Sequence, residues 1–197
     1  MYLADPAFWR AGAISSTAVM LVVLGFLTVD SLAVIRTGGA NVPPYTVIDR
    51  EIGYAFDDAA GMYRPVIGGE QPLFGRRHTA PEAEALIDKG KLVIQSRACI
   101  DCHTFFGNGA YYAPDLTKAW LDPAWEKMWM PMTQAGAREE AMVMFLMEPQ
   151  KYPTWSRQMP NLRLSREEAE AAVAYLKWMS SVETNGFPIH FGHIQQN

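Results

Sequence analysis

The sequence contains two cysteines, and both fall in one five-residue stretch, Cys99-Ile100-Asp101-Cys102-His103. Two cysteines separated by two residues and followed at once by histidine form the attachment sequence of a c-type haem. Each thiol can add to one vinyl group while the adjacent imidazole of His103 is delivered to the iron as its proximal ligand. A disulfide, half a zinc site or a thioredoxin-like pair would use the same spacing. A zinc site would need further Cys or His at ligand spacing, and a thioredoxin motif would need a βαβ context; neither pattern is found. The motif therefore predicts one covalent haem c on Cys99 and Cys102. The chain must then build one wall behind His103 and another across the opposite axial position.

Residues 11–29 form nineteen consecutive positions without a charge. At 1.5 Å per residue they reach about 28 Å, close to the thickness of a bilayer core. The run is longer than the apolar part of a secretory signal, and the residues before it carry little positive charge. Although Ser31-Leu32-Ala33 resembles a cleavage site, a single membrane-spanning helix is the expectation. Phe8 and Trp9 suit the interfacial belt. Arg10 and Arg36 nearly balance, so the orientation comes from the haem, which bacteria attach outside the cytoplasm. The expected placement is the bacterial inner membrane, amino terminus in the cytoplasm and haem domain in the periplasm. A net charge of −4 with scattered Lys and Arg gives no footprint for nucleic acid.

Residues 37–78 are punctuated by Gly38-Gly39, Pro43-Pro44 and Gly68-Gly69, with short apolar pieces at 45–48 and 63–67 that suit brief strands or extended contacts. A stretch this long without periodicity is expected to be functional or packed on a partner. From Thr79 the signal sharpens, because Thr79-Ala80-Pro81-Glu82 combines an N-cap, an early proline and a capping-box glutamate. A helix should start there, bury Ala83, Leu86, Ile87 and Ile94 on one stripe, and deliver the haem motif near its last turn. Residues 104–116 contain a turn at Gly107-Asn108-Gly109 before two tyrosines and Pro114; such a loop can lie over a haem edge, but the sequence alone favours a turn with packed aromatics. Residues 134–148 suggest a helix burying Met142, Phe145 and Leu146. Ser165 and Glu168 form a second capping box that opens a final helix over 166–181. Its Ala169, Ala172, Val173, Leu176 and Met179 keep a helical period, and its small alanines permit close packing on the first haem-domain helix. The expected fold is mainly α: a segment with the membrane anchor over 1–36, an extended, irregular insert over 37–78, and a class I-like cytochrome c domain over 79–197.

An electron carrier keeps its iron six-coordinate, and methionine is the commonest partner of histidine. Two of the eleven methionines precede proline, Met130 and Met159, and an Xaa-Pro pair favours an extended loop that could hold a thioether against iron. Met159 lies shortly before the capping box of the last helix and is preferred; Met130, His190 and His193 are the other candidates. The carboxylate pairs Asp57-Asp58 and Glu167-Glu168 suit solvated surface or the helix dipole better than acid/base chemistry.

The run from His103 to Leu116, HTFFGNGAYYAPDL, resembles the membrane-anchored cytochrome c subunit of bacterial nitric oxide reductase. The resemblance extends to the single anchor, Gly90-Lys91-Leu92-Val93, Gln158-Met159-Pro160 with Leu164-Ser165, Leu176-Lys177-Trp178 and Glu183-Thr184-Asn185. Residues 37–78 and parts of 120–155 look longer than the compact family pattern. The resemblance implies a heterodimer with a large membrane catalytic subunit that holds b-type haems and a non-haem iron. The present chain would itself do no bond-making chemistry. It would take electrons from a soluble periplasmic donor, a cytochrome c or a cupredoxin, and pass them inward for reduction of two nitric oxide molecules to nitrous oxide and water. The resemblance also implies a calcium ion at the subunit junction, with the Gly109 carbonyl and Tyr111 as the matching contributors. Hard oxygen ligands suit calcium, although a structural turn would explain both residues equally well. The alternatives are an anchored cytochrome acting alone or serving another haem-copper-type oxidase, and a haem-based gas sensor, for which no output module is visible.

Overall fold

A computed structural model describes residues 5–40, 42–152 and 158–188; His190 and His193 lie outside these. The chain divides into two compact units, Met1–Val42 and Pro43–Asn197.

The first unit is helix α1, Pro6–Ala40. Asp5 caps it, its carboxylate accepting from Ala7 N at 2.9 Å, and Pro6 pre-sets the first helical φ. The portion Pro6–Val34 has a mean hydropathy of 2.1 in its most apolar window and buries nothing within the chain. It is long and apolar enough to cross a membrane. The charge-free run of nineteen residues is thus the middle of a longer helix that continues through Asp30.

The second unit begins with a short 3-10 turn, Tyr45–Asp49. An antiparallel hairpin follows, β1 (Arg50–Asp57) and β2 (Met62–Glu70). The expectation of brief strands holds for 63–67 but not for 45–48, where Pro44 precedes a helical turn whose Val47 N donates to Pro44 O at 3.0 Å. The hairpin is a true pair: Asp57 accepts from Ala59 N and Ala60 N around the turn, and Gly61 takes a left-handed φ of 64°. Val47, Ile48, Ile52 and Leu73 are all buried. The irregular segment therefore contributes to the core instead of trailing from it. His78 closes the segment, its ring and its backbone N–H both donating to Asp49; those bonds hold the Asp49 carboxyl below the usual carboxylate range against the opposing cost of burial.

Helix α2 is Ala80–Ser96, opened by the predicted capping box, with Thr79 N donating to Glu82 at 2.7 Å. Helix α5 is Arg166–Ser180, opened by the second box, with Ser165 N donating to Glu168 at 2.8 Å. The five apolar positions expected on α5 are all buried. The two helices pack on each other, and a Cβ placed on Gly90 would sit 2.0 Å from the Ala171 carbonyl oxygen. Glycine is required there because two backbones touch. Arg97, just past α2, pairs with Glu168 at 2.7 Å, and Lys89 pairs with Glu167. The end of α2 and the beginning of α5 therefore lie side by side.

Between these helices the chain forms a two-residue hairpin, β3 (Thr104–Phe105) and β4 (Asn108–Gly109). Next come a 3-10 turn at Ala119–Leu121, a π-helical turn at Trp125–Trp129 and the short α3, Met130–Thr133. Helix α4 is Arg138–Met147, starting later than expected because Gln134 takes a left-handed φ of 57° and ends α3 first. Its most deeply buried positions are Ala141, Met142 and Val143, while Phe145 and Leu146 are half-buried.

Two lysines are interior. Lys118 Nζ donates to the carbonyls of Ser180 and Val182 at the end of α5. Lys177 stands 4.5 Å from the centre of the Trp120 ring, which also has the Arg138 guanidinium at 5.3 Å. Burial pulls both ammonium groups down to about 8, against the opposing pull of Glu183 on Lys118 and of Glu139 and Asp49 on Lys177. Between that value and the ordinary lysine pKa the unfolded chain binds more protons than the folded one. Stability should therefore rise as pH is raised from about 8 towards about 10.5. Lys177→Met should flatten that rise, which denaturant midpoints measured across this range will read out.

Candidate haem site

Helix α2 stops three residues before the first cysteine, and Ala98 turns the chain with a left-handed φ of 52°. The motif follows as a 3-10 turn, Cys99–Asp101, just beyond the helix instead of within its last turn. Cys99 is buried, which pushes its thiol up from its ordinary value, and Cys102 is half-buried.

The loop that follows folds back over the motif. Ala110 N donates to Ile100 O at 3.0 Å, Ala113 N to Cys102 O at 2.8 Å and Leu116 N to Thr104 O at 2.8 Å. Gly109 makes this possible: its φ is 125°, and a Cβ there would lie 2.3 Å from the His103 carbonyl oxygen. The consequence reaches the imidazole, because His103 Nδ1 lies 2.7 Å from the Pro114 carbonyl. A carbonyl can only accept, so Nδ1 carries the proton and Nε2 keeps a free lone pair. Burial holds His103 below its ordinary pKa, with the Pro114 bond and the Asp115 charge opposing. The ring is thereby presented neutral and in the tautomer a metal needs.

His103 faces a cavity of about 670 Å³, within the range of small-molecule and cofactor sites. Cys102, His103 and Pro114 stand on one part of its wall, and Gln158, Met159 and Pro160 on another. Trp125, Trp129 and Phe145 supply aromatic lining, the last two with ring centres 4.5 Å apart. The residues suit a covalent haem: thiols and imidazole adjacent in sequence, a thioether in the same cavity and a predominantly apolar wall.

Met159, chosen from its Met-Pro pair and its position before the last helix, lines this cavity. Met130 does not; it opens α3 with helical dihedrals, and its following proline fits the first turn of that helix. Met128, not singled out by the sequence pattern, is a second thioether in the wall. Its place follows from the π-helical turn, which no residue pattern announces. Gly109 and Tyr111 fall on the folded-back loop. Tyr111 is 81% exposed, with its hydroxyl donating to Gly107 O at 2.9 Å. Among the described residues no cluster of three or more His, Cys, Asp and Glu could hold a metal ion. Of the carboxylate pairs, Asp57 accepts at the hairpin turn, Glu167 pairs with Lys89 and Glu168 accepts from Ser165 N in the capping box of α5.

The motif, the cavity and the crossed helices place the second unit among the cytochromes c, and the sequence profile of the Cytochrome c family matches residues 87–180. The chain is similar to the C subunit of nitric oxide reductase from Stutzerimonas stutzeri, 30% identical over 119 residues covering 60% of this chain and 75% of the relative. It is 34% identical to the C subunit of nitric oxide reductase from Paracoccus denitrificans over 128 residues, 59% of this chain and 75% of that one. The chain belongs to this family of nitric oxide reductase C subunits, as an electron-transfer cytochrome c, and its cytochrome c domain implies a covalent haem c.

Gly109→Ala should destabilise the unit by about 2 kcal/mol or more, since it combines a disfavoured φ with overpacking. Haem retention and the denaturation midpoint should fall together, whereas Gly136→Ala, with open space around the glycine, should change neither.

Proposed function

We propose that this chain relays electrons from soluble periplasmic donors, through one haem c, to the haem b of a large membrane catalytic subunit. There two nitric oxide molecules, two electrons and two protons become nitrous oxide and water. The observation that carries the proposal is the cavity shared by His103 and Met159, in a member of the nitric oxide reductase C-subunit family. The haem supplies the one-electron couple when bound.

The residues of this chain hold and tune it. Cys99 and Cys102 would fasten the group through their thiols, and the His103 imidazole and the Met159 thioether would hold its iron. Held by the same two residues whether oxidised or reduced, the group would gain and lose one electron with little rearrangement of this chain. The Pro114 carbonyl strengthens His103 as a donor, the Met159 thioether favours the reduced state, and Trp125, Trp129 and Phe145 exclude water. Helix α1 crosses the inner membrane once, with the amino terminus in the cytoplasm and the second unit in the periplasm. The Gly109 carbonyl and Tyr111 would contribute to a calcium ion at the junction with the large partner. The exposure of Tyr111 supports that reading, because its side chain is open to a partner.

Met159→Ala should abolish the low-energy sulfur-to-iron absorption of the ferric protein and leave the covalent haem in place; a retained band assigns the sixth position elsewhere. Purified in detergent from its native membrane, the chain should bring with it a large hydrophobic subunit, b-type haem and nitric oxide consumption. Recovery with haem c alone would favour the cytochrome that acts by itself.

A further inference from the structure

One side chain in the cavity wall is anchored more firmly than a lining residue requires. Asp115 directly follows Pro114, whose carbonyl accepts the His103 Nδ1–H bond. Its Oδ2 accepts from Thr104 Oγ1 at 2.6 Å, and its Oδ1 accepts from Thr117 N at 2.8 Å. Both threonines are buried, Thr104 at 3% exposure and Thr117 at 0%. Thr117 Oγ1 accepts in turn from Phe106 N at 2.7 Å. Thr104 is the residue immediately after His103. A single carboxylate thus ties the backbone that follows the imidazole to the backbone that follows the imidazole's acceptor.

We propose that Asp115 is the positioning residue of the proximal side: through Thr104 and Thr117 it keeps the Pro114 carbonyl on His103 Nδ1 and so sets how strongly His103 donates to iron. The inference rests on His103 being the proximal ligand. Pro114 belongs to a stretch with no helix or strand of its own, and a 2.7 Å bond weakens steeply when its geometry slips. Bonds to a carboxylate are roughly twice as strong as neutral ones, so they suit this clamp. The bond they protect raises imidazole basicity and stabilises the oxidised metal.

The test uses the full chain in detergent with its haem attached and its histidines labelled with nitrogen-15. Two quantities are read: the hydrogen-exchange rate of His103 Nδ1–H in the reduced protein, and the reduction potential. Thr104→Val removes one anchor and leaves the carboxylate, Asp115→Ala removes both anchors, and Thr104→Ser restores the hydroxyl. Exchange should be roughly tenfold faster in Thr104→Val, as expected for the loss of one net hydrogen bond to a charged group, and faster still in Asp115→Ala, which loses two. Both should shift the potential to more positive values, and Thr104→Ser should match the wild type in each. Wild-type exchange in either Thr104→Val or Asp115→Ala overturns the proposal, and so does accelerated exchange in Thr104→Ser. A wild-type ferric protein in which the nitrogen-15 resonances of His103 carry no paramagnetic shift from the iron would instead overturn the assignment of His103, which separates the two failures.

Discussion

The backbone contact between Gly90 and Ala171 is the constraint on which the haem site depends. Two helices can cross this closely only where one of them lacks a side chain. The crossing sets the end of α2 beside the start of α5, and the Arg97–Glu168 pair marks that end. The haem motif leaves α2 within three residues, and the Met159 loop arrives at α5 shortly before its first turn. Two segments far apart in the chain are therefore delivered to one cavity by a contact that neither of them makes. The surface ion pairs at the crossing contribute little energy by themselves; the buried alanine, valine and isoleucine stripes supply most of it.

A second layer of constraint is local. The loop after His103 returns over the motif through successive backbone bonds, and Gly109 permits the return. This converts a flexible attachment sequence into a fixed imidazole with a chosen tautomer. Two cations are interior to the same unit. Lys118 satisfies carbonyls at the end of α5, and Lys177 rests on the Trp120 ring, so each ammonium trades hydration for carbonyl dipoles or an aromatic face.

Much of this was legible in the residues. Both capping boxes, the buried stripe of α5 and the apolar N-terminal helix required only spacing and the chemistry of capping. What stayed hidden had non-local causes. The hairpin of residues 50–70 was obscured because its strands hold Gly53, Gly68, Gly69 and Pro65, residues that ordinarily punctuate loops. Met128 could not be singled out, because a π-helical turn places it and no composition signals one. Asp115 reads as an ordinary turn residue in the sequence, because only the returning loop brings Thr104 to its carboxylate.

By itself the sequence determined the chemistry: two thiols and an imidazole at fixed separation admit a covalent haem, and a charge-free run of nineteen residues admits a membrane span. These are short-range facts, set by bond lengths and helical rise, so they survive without any knowledge of packing. The tertiary structure decided which thioethers share the cavity with His103, which nitrogen of that ring is free and which carboxylate stands behind it. Those outcomes depend on backbone approaches of a few ångströms between segments distant in the chain. Steric fit selects among such approaches only once the chain has folded.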